Sequence, residues 1–320
     1  MLTRGSVPGS GGFSTSGVRT FLRDLPSVPH YLGYLRTLKA HRRAIDLGIV
    51  VGDVFLLLLG RLGLRRKLVF VALAKSDWDA PHSPLERTVL RRLPQVVFAR
   101  DERTRAALER RGVRTLHVGN PLMDGLSGPE HQAGGPPMVA LLPGSRREAC
   151  DNLLMMLDAV ERVRDGVVFR CALPATLQAS SVAVRAATAG WGAEAGELKK
   201  DRKVVTLVED GFERVIAEAT VVVGLAGTAN EQAAGLGKPV VAFVGSGPQT
   251  TATRWRSQRR LLGEALAVVT GGPDRVAADV EALVADPAER ARRGHAGACR
   301  MGPPGGAARI AEWVIGEFMS

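Results

Sequence analysis

The chain has 320 residues, 45% of them hydrophobic and 23% charged. That is enough apolar material for a large core in two domains, and too much for a disordered chain. Its 43 Lys and Arg against 32 Asp and Glu leave a formal charge of +11, which either favours anionic partners such as phosphates and acidic membrane surfaces or reflects an arginine-rich composition. Cys150, Cys171 and Cys299 are too few and too far apart for a disulfide framework, and a reducing, cytoplasmic compartment fits them.

The first 17 residues are rich in glycine and serine and have no apolar h-region, so they read as a loop and not a signal peptide. A helical stretch follows over 18–44. The most apolar window, 47–64, carries Asp53 and Arg61 and is interrupted by Gly52, Gly60 and Gly63. It lacks the ~20 unbroken apolar residues of a membrane span and reads as a buried strand followed by a helix. Strands are expected at 47–51, 68–73, 96–99 and 115–118 with helices between them, Asp101 capping a helix that runs through Arg111. Residues 119–137, GNPLMDGLSGPEHQAGGPP, have the composition of an interdomain linker. The pattern then restarts, with strands at 138–142, 167–172, 204–207, 220–223, 239–243 and 266–269 before closing helices.

This alternation predicts an α/β fold of two Rossmann-like, doubly wound domains in series, over 1–126 and 127–320. The first has about four strands where a complete doubly wound sheet carries about six, and it opens on a helix, so it reads as incomplete.

In open α/β sheets, chemistry gathers at the carboxyl ends of the strands. Two strand ends lead into glycine turns: LPGSRRE at 142–148 and GLAGTANE at 224–231. Gly144 permits a close turn, Ser145 can bind a phosphate oxygen, and Arg146 offers a charged fork for a diphosphate. In the second turn the Gly227 and Thr228 amides face a helix N-terminus, and Glu231 is placed to accept two hydrogen bonds from a ribose diol. The alternative is purely structural, since Ser145 with Glu148 and Thr228 with Glu231 both fit the capping-box spacing.

Other motifs carry less. Asp77-Trp78-Asp79 is a D-x-D triplet of the kind that holds a divalent cation. Gly237-Lys238 resembles the end of a P-loop, but Gln232 and Pro239 break that motif, leaving a helix stop before a strand. The six histidines show no metal-ligand spacing, so no metal is expected. His82, in DAPHSP, is either a general base for an acceptor hydroxyl or a surface-loop histidine. Arginine clusters at 36–43, 61–67 and 254–260 fit an anionic membrane surface or a solvated helix face. With aromatics at 5% and no nucleic-acid module, nucleic acid is not an expected partner.

The order LPGSRRE (142–148), GLAGTANEQAAGLGKPVV (224–241) and GPQTTATRWRSQRRLLG (247–263) is joined by four elements of the first half: GGFSTSGVRTFLRDL (11–25), VVGDVFLL (50–57), ARDERTRAALERRGV (99–113) and VGNPLMDGL (118–126). Together they resemble the lipid-A-disaccharide synthase-related family of GT-B glycosyltransferases. The resemblance implies a UDP-sugar donor and no other cofactor. It places Gly144, Ser145 and Arg146 at the diphosphate with Gly227 and Thr228, Glu231 on the ribose, and Gln249 near the sugar or phosphates. It also implies an acceptor site in the first domain, with the departing diphosphate neutralised by Arg146 and helix amides. Family members ordinarily begin with a strand, a Gly-rich loop and a further unit ahead of GGFS, roughly 60 to 90 residues, so the expectation is either a misassigned start or the loss of part of the acceptor domain. The expected activity is hexosyl transfer to an unknown, lipid-linked or other acceptor, by an enzyme peripheral at the inner face of the membrane. The alternatives are a non-catalytic nucleotide-binding remnant, or a UDP-sugar 2-epimerase or hydrolase.

Overall fold

The structure, a computed structural model, describes residues 28–126, 135–248 and 250–318. It separates into two compact units, one of Met1–Asp77 with Pro81–His117 and one of Trp78–Ala80 with Val118–Ser320. The units therefore divide at His117/Val118, where composition alone suggested 126/127. Residues 118–126 are not a free linker: Asn120, Met123 and Leu126 are buried, and the Asn120 side chain donates to the Met301 carbonyl at 2.8 Å.

The first described element of the first unit is helix α1 (Val28–His41), the described part of the expected 18–44 stretch. Four parallel strands follow in the sheet order of the sequence: β1 (Leu47–Gly52), β2 (Lys67–Ala72), β3 (Val96–Ala99) and β4 (Thr115–Leu116). Strands covered on both faces need continuous apolar runs, and Leu68 to Ala72 and Val96 to Ala99 are all buried. Each crossover helix starts on a cap that satisfies amides left open at a helix N-terminus. Asp53 accepts from the Leu56 amide ahead of α2 (Val54–Leu64), Ser83 and Glu86 form a complete capping box on α3 (Pro84–Arg92), and Asp101 accepts from the Thr104 amide ahead of α4 (Glu102–Glu109).

The second unit is built on an eight-stranded sheet in the order β12-β11-β10-β5-β6-β9-β8-β7. Six strands are parallel: β5 (Met138–Leu142), β6 (Val168–Ala172), β9 (Lys203–Val208), β10 (Val221–Gly224), β11 (Val240–Phe243) and β12 (Leu266–Val269). All six were expected. The antiparallel pair β7 (Gly192–Glu194) and β8 (Glu197–Lys200) was not. Ala195 and Gly196 turn between them with φ of +49° and +80°, the positive-φ pair of a type I′ hairpin. The helices are α5 (Ala149–Val160), α6 (Ala179–Ala187), α7 (Phe212–Glu218), α8 (Thr228–Gly235), α9 (Ala252–Leu262), α10 (Pro273–Ala285), α11 (Pro287–Met301) and α12 (Gly306–Phe318). No helix among the described residues is long and apolar enough to cross a membrane.

Candidate functional site

Strand order locates the site before any side chain does. The chain leaves β5 towards β6 and β9 on one side of the sheet, then returns to place β10 on the other side of β5. The loops that leave β5 and β10 must diverge, which opens a crevice at their carboxyl ends. A cleft of about 720 Å³ lies there, lined by residues that follow β5, β6, β9, β10 and β11.

Both glycine turns form its walls. Gly144, Ser145 and Arg146 line it from one strand end, and Gly227 and Thr228 from the next. The two turns are in direct contact, the Leu225 amide donating to the Leu142 carbonyl at 2.9 Å. Gly144 has φ of +93°, and a Cβ there would stand 3.3 Å from the Leu225 carbonyl oxygen, so glycine is required both by backbone conformation and by the closeness of the second turn. Ser145, Arg146, Gly227 and Thr228 are exposed.

Neither capping box forms at these turns. Helix α5 starts one turn later than Ser145 would dictate, with Glu148 at its N-cap making no side-chain cap and the Ala149 N–H donating to the Arg146 carbonyl at 2.9 Å. Helix α8 starts at Thr228 itself with Gly227 as the N-cap. Glu148 instead packs against Gly247, whose φ is +92°, and a hydrogen bond from Arg147 holds its carboxyl below the usual carboxylate range.

The remaining expected residues fall differently. Glu231 is half-buried in the first turn of α8, outside the lining, whereas the adjacent Gln232 is part of it. Gln249 lies outside the described residues; its neighbours Pro248 and Thr250 line the cleft. Asp79 is taken up by Arg260, 2.7 Å away, and by the Ser257 hydroxyl, while Asp77 belongs to the other unit. Among the described residues no three His, Cys, Asp or Glu side chains could hold a metal ion. Gly237, at φ +73°, ends α8 in a Schellman arrangement, with Lys238 and Gly237 amides donating to the Ala233 and Ala234 carbonyls, as expected of a helix stop.

His82 belongs to the first unit and is 4% exposed, so it is not a surface-loop histidine. Its Nδ1 has no hydrogen-bond partner. Desolvation pushes its pKa down from 6.5 to about 4, with Glu86 and Asp101 opposing and Lys75 and Arg87 assisting. The unfolded chain thus binds a proton that the folded chain refuses, so stability is complete above pH 6.5 and is lost on acidification towards the folded value. His82→Leu is expected to reduce the loss of unfolding free energy between pH 7 and pH 5 by about 2 kcal/mol, measured by chemical denaturation at both pH values. An unchanged pH dependence refutes this assignment.

Three polar residues that the sequence did not single out hold the walls. Asn152, on α5, is 4% exposed; its Nδ2 donates to the Pro143 carbonyl at 3.1 Å and its Oδ1 accepts from the Ser246 amide at 2.7 Å. Asn230, fully buried on α8, donates to the Gly224 carbonyl and to Gln258 Oε1, each at 3.1 Å. Gln258, on α9, donates to the Gly227 carbonyl at 2.9 Å and to the Ala226 carbonyl at 3.4 Å.

No protein-family model and no curated protein matches the amino-acid sequence. Solved structures do match the fold. A provisionally assigned UDP-N-acetylglucosamine 2-epimerase from Listeria monocytogenes superposes with a TM-score of 0.61 at 17% identity, over 96% of this chain and 82% of that one. MnaA of S. aureus in complex with UDP gives 0.61 at 14%, over 90% and 80%. CalG4, the calicheamicin glycosyltransferase, gives 0.56 at 18%, over 94% and 80%. The fold is GT-B-like. Identities this low establish the GT-B-like architecture and leave the chemistry to be argued from the site.

Proposed function

We propose that the cleft of the second unit binds a UDP-sugar, its diphosphate lying across the Gly144–Arg146 turn and the Gly227–Thr228 helix start, and that the chain transfers the hexosyl group to an acceptor. The observation that carries this is the meeting of two glycine turns, from adjacent parallel strands, on one cleft at the switch point of the sheet. Exposed turn amides and a helix N-terminus complement a diphosphate, and Arg146 adds the charge-assisted bonds. Glu231, next to the lining Gln232, is assigned to the ribose hydroxyls, and Gln249 to the sugar or phosphates. In transfer, the acceptor oxygen forms a bond to the anomeric carbon as the bond from that carbon to the diphosphate breaks. UDP departs with its charge met by Arg146 and the turn amides. His82, expected as the general base, is 4% exposed and resists protonation down to about pH 4, so the acceptor proton is assigned to solvent and not to this side chain.

The motif order quoted above supports membership of the lipid-A-disaccharide synthase-related family. The formal charge of +11 and the arginine clusters of the sequence support a lipid-linked acceptor met at an anionic membrane face from the cytoplasmic side. A second reading, 2-epimerisation or hydrolysis of the UDP-sugar, is supported by the epimerase named among the similar folds. Titration with UDP, followed by incubation with UDP-N-acetylglucosamine and UDP-glucose with and without lipid extract, separates the readings. A glycosylated lipid appearing with UDP supports transfer. A 2-epimer or free sugar without acceptor supports the second reading. UDP binding with no turnover leaves a nucleotide-binding module, and no UDP binding refutes the assignment of the cleft.

A further inference from the structure

The two turns that line the cleft carry Gly144 and Gly227, and at these glycines no side chain fixes which way the peptide plane faces. In a trans peptide the carbonyl of one residue and the amide N–H of the next point in opposite directions. Anchoring a carbonyl on the protein side therefore aims the following N–H away from the anchor. Two side-chain amides anchor three such carbonyls here. Asn152 Nδ2 takes the Pro143 carbonyl, which orients the Gly144 amide. Gln258 Nε2 takes the carbonyls of Ala226 and Gly227, which orients the amides of Gly227 and Thr228.

Both amides are fixed at their other end as well, so their orientation is not ambiguous. Asn152 Oδ1 accepts from the Ser246 amide, tying the turn after β5 to the loop after β11, and both loops line the cleft. Gln258 Oε1 accepts from Asn230 Nδ2, which also holds the Gly224 carbonyl at the end of β10. Asn230 serves two acceptors with its Nδ2, and its buried Oδ1 is left without a partner. Asn230 thus ties the end of β10 to the side chain that holds the second turn.

We propose that Asn152 and Gln258 are positioning residues for diphosphate recognition, orienting the Gly144, Gly227 and Thr228 amides without themselves touching the ligand. This inference rests on the nucleotide-sugar assignment of the cleft. It predicts that removing either amide harms the binding of a phosphate-bearing ligand selectively, because uridine alone makes no use of the turn amides.

The test uses the near-isosteric, uncharged variants Asn152→Leu and Gln258→Met in the full chain, so that no new charge confounds the comparison. Dissociation constants for UDP and for uridine are measured by NMR titration, alongside thermal midpoints. UDP affinity is expected to fall about tenfold in each variant while uridine affinity stays within about twofold. Unchanged UDP affinity in a folded variant overturns the inference, as does an equal loss for both ligands, which marks a general structural role. Gln258 is only half-buried on α9, so its variant decides the matter should Asn152→Leu fail to fold. If the unsubstituted protein does not bind UDP, the nucleotide assignment itself falls, and the positioning roles fall with it.

Discussion

Gly297→Val is expected to destabilise the second unit by about 3 kcal/mol, and Gly297→Ala by about 2 kcal/mol, as overpacking at a contact that cannot yield. Gly297 sits where α11 presses on α8. A Cβ there would stand 2.9 Å from the Ala234 carbonyl carbon and 3.0 Å from the Ala265 Cβ. One turn earlier, a Cβ on Gly294 would run into the Gly237 carbonyl oxygen. These obstacles are backbone atoms and an alanine Cβ, none of which a rotamer change can move, so the helices must separate. The intrinsic gain of alanine over glycine inside a helix, about 1 kcal/mol, opposes this and does not outweigh it.

Gly316 supplies the internal control. It is exposed on α12 with nothing within 4 Å of an added Cβ, so Gly316→Ala is expected to stabilise by about 0.5 to 1 kcal/mol. Denaturant midpoints for the three variants check the opposite signs. Stability equal to the unsubstituted protein in Gly297→Val refutes the close packing of α11 on α8. The effect reaches the site, because α8 begins at Thr228 and ends against this contact.

The parallel strands were legible because strands covered on both faces must be continuous apolar runs, as in Leu68 to Ala72 and Val221–Gly224. The β7–β8 pair escaped because GAE and ELKK carry one buried apolar side chain between them, Leu198. Its only local signal is the Ala-Gly turn. Residues 119–126 looked like linker because they open the stretch to Pro137 in which nine of 19 residues are glycine or proline, yet Met123 and Leu126 pack into the second unit and Asp124 accepts from the amides that open α12.

At the site, the glycine turns were legible because close backbone approach leaves no other residue at Gly144. The two capping boxes were misleading for a physical reason: the spacing fits, but the extra turn over Arg146–Glu148 delays α5, and Thr228 is already helical. The amides of Asn152, Asn230 and Gln258 gave no signal, since each is an ordinary polar residue within a helix until its carbonyl partners are known. Gln258 was visible only as a member of an arginine-rich surface stretch.

Arg146→Ala is expected to weaken UDP binding by about 1.5 to 3 kcal/mol, roughly ten- to 150-fold, the scale of charge-assisted hydrogen bonds. The side chain is exposed at the rim of the cleft, so part of its contribution is screened Coulomb attraction. The difference in affinity between the unsubstituted protein and the Arg146→Ala variant should therefore shrink as ionic strength rises. Arg146→Lys should recover the screened part and not the bidentate part, because an ammonium is a point charge where the guanidinium is a planar fork. Calorimetric titration of all three proteins at low and high salt resolves the two contributions. Equal affinity for UDP across the series places the diphosphate elsewhere. A loss that Lys restores in full reduces Arg146 to general attraction and leaves the turn amides as the specific contacts with the diphosphate.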